Sequence, residues 1–136
     1  MSEEDVVEVL QHRARLALSQ FADDVTLGDD GSLGFSYAGA LCSLRAVALS
    51  PGLEVLSVTA VLAWDRPLKA ALHKKVAERN AESQFGSIAI NNTGKLADIV
   101  MRYTFPASGL GDEPLMTMLV LVLSGVEKAR AGLRPL

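Results

Sequence analysis

The chain is poor in the residues that most often carry chemistry. It holds one cysteine, Cys42, and two histidines, His12 and His73, in 136 residues. One cysteine excludes an internal disulfide and any thiolate zinc site built from a single copy. Set inside the apolar run "ALCSLRAVAL", Cys42 reads as a small buried hydrophobe. A lone thiol of this kind fits a reducing, cytoplasmic setting. The histidines fall on separate helical segments and read as solvated residues without a positioned partner, so neither a His-based metal site nor a histidine base is expected.

Basic charge is also scarce. Lys and Arg number 13 against 16 Asp and Glu, a formal net charge of −3, which argues against nucleic acid and anionic membranes as partners. The longest apolar run, "LMTMLVLVL" at 115–123, is half the length a membrane span needs. The start, "MSEEDVVEVL", is acidic, and without a basic n-region it does not read as a signal peptide. No nucleophile–base pairing, phosphate loop or cofactor motif is visible. Asp23, Asp24, Asp29 and Asp30 suggest calcium, but they lack the alternating acids, the following Gly and the distal Glu of an EF-hand loop. No catalytic residue, metal or cofactor is expected.

Apolar residues are what the chain has in quantity. They make up 49% of it, with a mean hydropathy of +0.25. A chain of this length forms one domain, residues 1–136, and buries roughly 70% of its unfolded surface. The apolar excess leaves surface to hide, and a second copy of the chain is one way to hide it.

Periodicity then orders the elements. Val6, Leu10, Ala14, Ala17 and Phe21 recur at helical spacing, predicting a helix over Ser2–Ala22 with Ser2 as its cap. An Asp-Asp-Gly turn separates Val25–Leu27 from Leu33–Tyr37. Strands follow at 40–49 and 53–64, split by Ser50-Pro51-Gly52. The second strand places Leu56, Val58, Ala60, Leu62 and Trp64 on one face. Its other face, Val55, Ser57, Thr59, Val61 and Ala63, is only half polar, as in a central strand or one with a face reserved for a partner. Asp65 is expected to cap a helix reaching about Ser83, stripe Leu68, Leu72 and Val76. Strands at 85–91 and 96–105 form a hairpin across "NNTG", where Gly94 takes positive φ. Asp112 is expected to cap a last helix to about Ala131, apolar on nearly every side and stopped by "GLRPL". The order α-β-β-β-α-β-β-α predicts an α+β fold with a mainly antiparallel five-stranded sheet packed by helices.

Three stretches carry a resemblance. "LGDDGSLGFSY" resembles the turn and strand that open the sheet in the type III secretion chaperone-like superfamily, including its YbjN-like branch. "WDRPLKAALHKKVAERN" resembles that family's middle helix, which ends near an Asn. "FGSIAINNTGKLADIVMRYTFPASGL" followed by "GDEPL" resembles its last hairpin, loop and final helix. The resemblance implies a non-enzymatic, homodimeric binding protein that holds extended segments of a client. It also implies a dimer interface on the second helix and neighbouring strand, at Leu68, Leu72, Val76 and Ile88.

For the client, a sheet edge is the natural receptor, because an added strand gains backbone hydrogen bonds. The strand at 32–37 is the candidate edge, with Leu33, Phe35 and Tyr37 projecting together as the peptide-binding set; the same residues also suit packing under the first helix. Two rival readings remain: a regulatory or structural subunit for one folded partner, and a small enzyme using Asp65, or Asp98 with Arg102 on the same strand face.

Overall fold

Alternation and helical spacing resolve into nine elements in a computed structural model, which describes residues 2–133. In chain order they are α1 (Glu3–Leu18), β1 (Asp23–Leu27), β2 (Leu33–Tyr37), β3 (Ala40–Ser50), β4 (Leu53–Pro67), α2 (Ala70–Glu82), β5 (Ser87–Thr93), β6 (Leu96–Pro106) and α3 (Asp112–Gly132). The strands form one sheet in the order β1-β2-β3-β4-β6-β5, antiparallel at every pairing. The fold is α+β, as expected, with six strands instead of five. The extra strand is β1. Its residues are largely exposed and its register slips between Asp23 and Thr26, so it shows no clean alternation to read.

The hairpins follow from turn chemistry. Tyr37 pairs with Ala40 across Ala38 and Gly39, both at positive φ (49° and 79°), the twist that two-residue hairpins require. Thr93 pairs with Leu96, and Gly94 takes the expected positive φ of 70°.

All three helices cover one face of the sheet. The inward residues alternate along the strands, for example Leu44 on β3, Leu56 and Val58 on β4 and Ile99 on β6, and all four are buried. α3 contributes Leu115, Leu119, Val122, Leu123 and Val126 as one stripe into the same cluster. The expectation that this helix is buried on nearly every side holds only for that stripe, since Val120 and Leu121 stay partly exposed. α1 starts on a capping box: the Asp5 N–H donates to Ser2 Oγ at 3.2 Å and the Ser2 N–H to Asp5 Oδ2 at 3.3 Å. It ends at Leu18, short of Ala22, where Ser19 Oγ donates to the Arg15 carbonyl at 2.8 Å. Phe21, beyond the helix, packs edge-on against Tyr37 with ring centroids 6.0 Å apart.

Two expected caps are not caps. β4 runs through Asp65 to Pro67, because Arg66 and Pro67 still pair with Ala97 and Leu96; α2 then starts with Lys69 at its cap. Asp112 lies inside the first turn of α3, Gly111 takes the cap position, and the Asp112 carboxylate instead meets Arg13 Nε at 2.7 Å. The register of β4 against β6 also slips between Val61 and Ala63. The bulge turns Ala63 into the core cluster and leaves Trp64 53% exposed, reversing the faces that strict alternation assigns. Of the expected stop after α3, residues 134–136 lie outside the described ones.

Leu119 has no accessible surface and lies where α3 meets the sheet. Leu119→Ala is expected to lower stability by about 2–5 kcal/mol, the range for leucine truncation in a packed core. Urea unfolding followed by circular dichroism measures this, and a loss below about 1 kcal/mol would contradict the packing described.

Candidate protein-binding surface

The same alternation that fills the core sends a second set of side chains to the opposite face. Across β3, β4 and β6 the register lines them up in rows. The first row is Leu41, Val61 and Val100. The second is Ser43, Thr59 and Arg102, the third Arg45, Ser57 and Thr104, and the fourth Val47, Val55 and Pro106. Apolar rows thus bracket two polar ones, within which Thr104 Oγ1 donates to Ser57 Oγ at 3.1 Å. Among the described residues no helix covers this face. Leu41 is 55% exposed and Val47 36%, and Leu49, at 63%, continues the apolar surface towards the β3–β4 turn. Exposed apolar side chains on a face that no helix covers mark a candidate interaction site, although Val55, between Val47 and Pro106, is itself only 5% exposed.

The residues singled out from the sequence lie elsewhere. Leu33 and Phe35 are 1% and 2% exposed, inside the core cluster, and Tyr37 is half-buried against Phe21. Their strand is no edge either, since β1 pairs it on one side and β3 on the other. The packing alternative therefore describes these three. Leu72, Val76 and Ile88 are also core, and Leu68 packs against them. α2 is charged on its remaining sides, so this narrow stripe is what docks it on its own sheet and is not free for a second copy. The half-polar face of β4, with Val55, Ser57, Thr59 and Val61, forms the middle of the free surface, whereas its β3 part lay hidden behind the polar Ser43 and Arg45. Leu41, Val47 and Leu49 share their parity, and that apolar repeat was the available signal.

The true sheet edges are β1 and β5, and β5 is partly stoppered. At the end of α2, the Ile88 N–H donates to Asn80 Oδ1 at 2.7 Å and Asn80 Nδ2 donates to the Ile88 carbonyl at 2.9 Å. One side-chain amide thus makes both bonds that an added strand would make there.

Polar groups proposed for chemistry are engaged in backbone bracing. Asp98 Oδ1 accepts the Asp65 N–H at 2.9 Å, at a residue held at φ 49°. Asp30 accepts both the hydroxyl and the N–H of Ser32, at 2.7 and 3.0 Å. Those bonds, with Arg45 nearby, hold its carboxyl below the ordinary carboxylate range. Among the described residues no group of three or more His, Cys, Asp or Glu is placed to hold a metal. No helix among them is long and apolar enough to cross a membrane. Cys42 is buried beside the Ala40 carbonyl, 3.6 Å away, and burial pushes its thiol up to about 11.

Three helices over one face of an antiparallel six-stranded sheet, with the other face free of helices among the described residues, define a two-layer α+β architecture. Its fold is YbjN-like: the crystal structure of YbjN, a candidate transcription regulator from E. coli, aligns with a TM-score of 0.54 over 86% of this chain and 88% of that one, at 14% identity. No protein-family model and no curated protein matches the chain in sequence.

Two measurements check the site chemistry. Asn80→Ala is expected to cost about 1–3 kcal/mol, the range for stranding partly buried backbone groups, and to speed hydrogen exchange at the Ile88 amide. Asn80→Asp keeps the acceptor and should keep that amide protected; equal exchange in all three proteins would discount the clamp. For Cys42 the folded thiol titrates above its ordinary value of 9.0. Its contribution is therefore complete below pH 9.0 and is lost as pH rises towards about 11, where only the unfolded chain ionises at first. Between pH 8 and 10.5 the wild type should lose stability relative to Cys42→Ala in urea titrations, and parallel pH profiles would contradict the burial argument.

Proposed function

We propose that the chain is a non-enzymatic, protein-binding module that pairs with a second copy of itself through the bare sheet face and holds extended segments of a client protein. The order of the outer rows, apolar–polar–polar–apolar, is the observation that carries this reading. It is self-complementary. A two-fold axis lying across the strands, between the polar rows, sets each apolar row on the other row of its partner. Arg102 then meets Thr104, so a hydroxyl receives its guanidinium, while Arg45 stays turned to its own β1–β2 loop, where Nη2 donates to the Asp30 carbonyl at 2.5 Å, and like charges stay apart. At ~4.8 Å per strand and ~3.4 Å per residue, the four rows on three strands cover on the order of 400 Å² in plan. That is about half the ~800 Å² per partner of a standard interface, the size of a weak, reversible pairing.

The non-enzymatic part of the reading rests on the roles of the acidic candidates. Asp98 braces the backbone of Asp65, and Asp30 closes its own turn, so neither is poised as a positioned acid or base. The likeness to YbjN brings a second reading, a regulatory subunit that places the same face on one folded partner. Stoichiometry separates the two.

Light scattering after gel filtration is expected to give twice 14.5 kDa. The double variant Leu41→Lys/Val47→Lys, both at exposed positions, should run as a folded monomer with an unchanged circular dichroism spectrum. A wild type that stays monomeric at tens of micromolar, or a double variant that stays dimeric, overturns the pairing.

A further inference from the structure

β2 begins at Leu33, opposite Leu44, while β3 continues to Ser50. Beyond Leu44, the β2 side of β3 therefore has no strand beside it. The two-residue turn makes Tyr37 and Ala40 a hydrogen-bonded pair, so Ala40, Cys42 and Leu44 direct their backbone groups towards β2. By the same alternation Ala46 and Ala48 direct theirs to that side. The Ala46 N–H donates to Gln11 Oε1 at 3.0 Å, and Gln11 Nε2 donates to the Gly31 carbonyl at 2.6 Å. Gln11 thus stands where the next residue of a strand would stand. The outward groups of Ala48 take no partner among the described residues.

This gap is a groove with a wall. α1 runs along it, and two adjoining hollows of about 470 and 390 Å³ share Val7 and Glu8. Val7, Leu27 and Leu33 give the middle an apolar lining, and Leu27 is exposed there. Charge is divided along its length. Glu3, Glu4 and Glu8 lie around Ala48, whereas Arg15 and Arg45 lie around Ala46 and Leu33. The helix dipole accounts for Glu3 and Glu4 in the first turn of α1, but Glu8 lies beyond that turn and lines both hollows.

The geometry points to this groove as a strand-addition site for an extended client segment that is basic at its N-terminal end, apolar in the middle and acidic at its C-terminal end. Such a segment runs antiparallel to β3, in line with β2 and towards Leu33, as every pairing in the sheet is antiparallel. Its first residues pass Glu3, Glu4 and Glu8, its central side chain sits on Val7 and Leu27, and its last residues reach Arg15 and Arg45. The Gln11 amide marks where its backbone bonds stop. This deepens the binding-module reading and rests on it, but it does not depend on the two-fold pairing.

The test uses a short fluorescein-labelled peptide with two lysines, a Val-Thr-Val centre and a terminal glutamate, together with a charge-reversed version of the same composition. Fluorescence anisotropy on the full chain should show the first binding at least ten-fold more tightly than the second. Backbone N-methylation at the residue opposite Ala48 should abolish binding. Glu4→Lys/Glu8→Lys should weaken the first peptide about ten-fold and tighten the second, an exchange that a merely unfolded variant cannot produce. The monomeric Leu41→Lys/Val47→Lys protein should bind as well as the wild type. Equal affinity for both peptides, no binding by either at millimolar concentration, or loss of binding confined to the sheet-face variant overturns the groove. A dimeric wild type that binds neither peptide would sink the groove alone, and a wild type that is monomeric yet binds the first would sink the pairing alone.

Discussion

Long-range pairing of β4 with both β3 and β6 is the constraint on which the other parts of the molecule depend. β4 is the longest strand and bonds to a neighbour on each side, so its register sets the facing of both partners. Leu56, Val58, Ala60 and Leu62 then all point one way. Three helices with narrow apolar stripes find a continuous floor only on that side. With the helices committed there, the outer face receives what is left of the alternation, and in this chain the remainder is partly apolar. The bare surface is therefore a direct consequence of how the core is built.

Much of this architecture is legible in the residues themselves. The alternation at 40–49 and 53–64, the Pro51-Gly52 and Gly94 turns, and the stripe on the last helix all place elements within a few positions of where they lie. The misreadings share one physical origin, which is that tertiary pairing outweighs local preference. Asp65 has the chemistry of a helix cap, yet the bonds of Arg66 and Pro67 to β6 keep the chain extended. Asp112 has the same chemistry, yet an arginine from α1 claims its carboxylate. Trp64 changes sides because a bulge adds one residue, an event that no alternation pattern contains. The peptide and dimer sets lie in or against the chain's own core for a related reason: apolar residues at regular spacing mark burial, and spacing alone does not tell burial in the chain's own core from burial against another.

Sheet edges are managed by three different devices. β1 is short, acidic at its start and irregular in register, which discourages pairing with a stray strand. β5 is held by Asn80 at Ile88. Along β3 the Gln11 amide occupies only the first outward position, and the next is left open beside a lined groove.

The order of elements along the chain has its own consequence for synthesis. α3 supplies much of the inner packing over β3 and β4, yet it follows every strand in sequence. Until residues 112–132 have been made, α1 and α2 alone can cover the inner face of the sheet. Leu44, Leu56 and Ile99 stay uncovered by that helix until it clears the exit tunnel. This interval, during translation and before the helix docks, is when the polypeptide is most open to misassociation and to holdase capture.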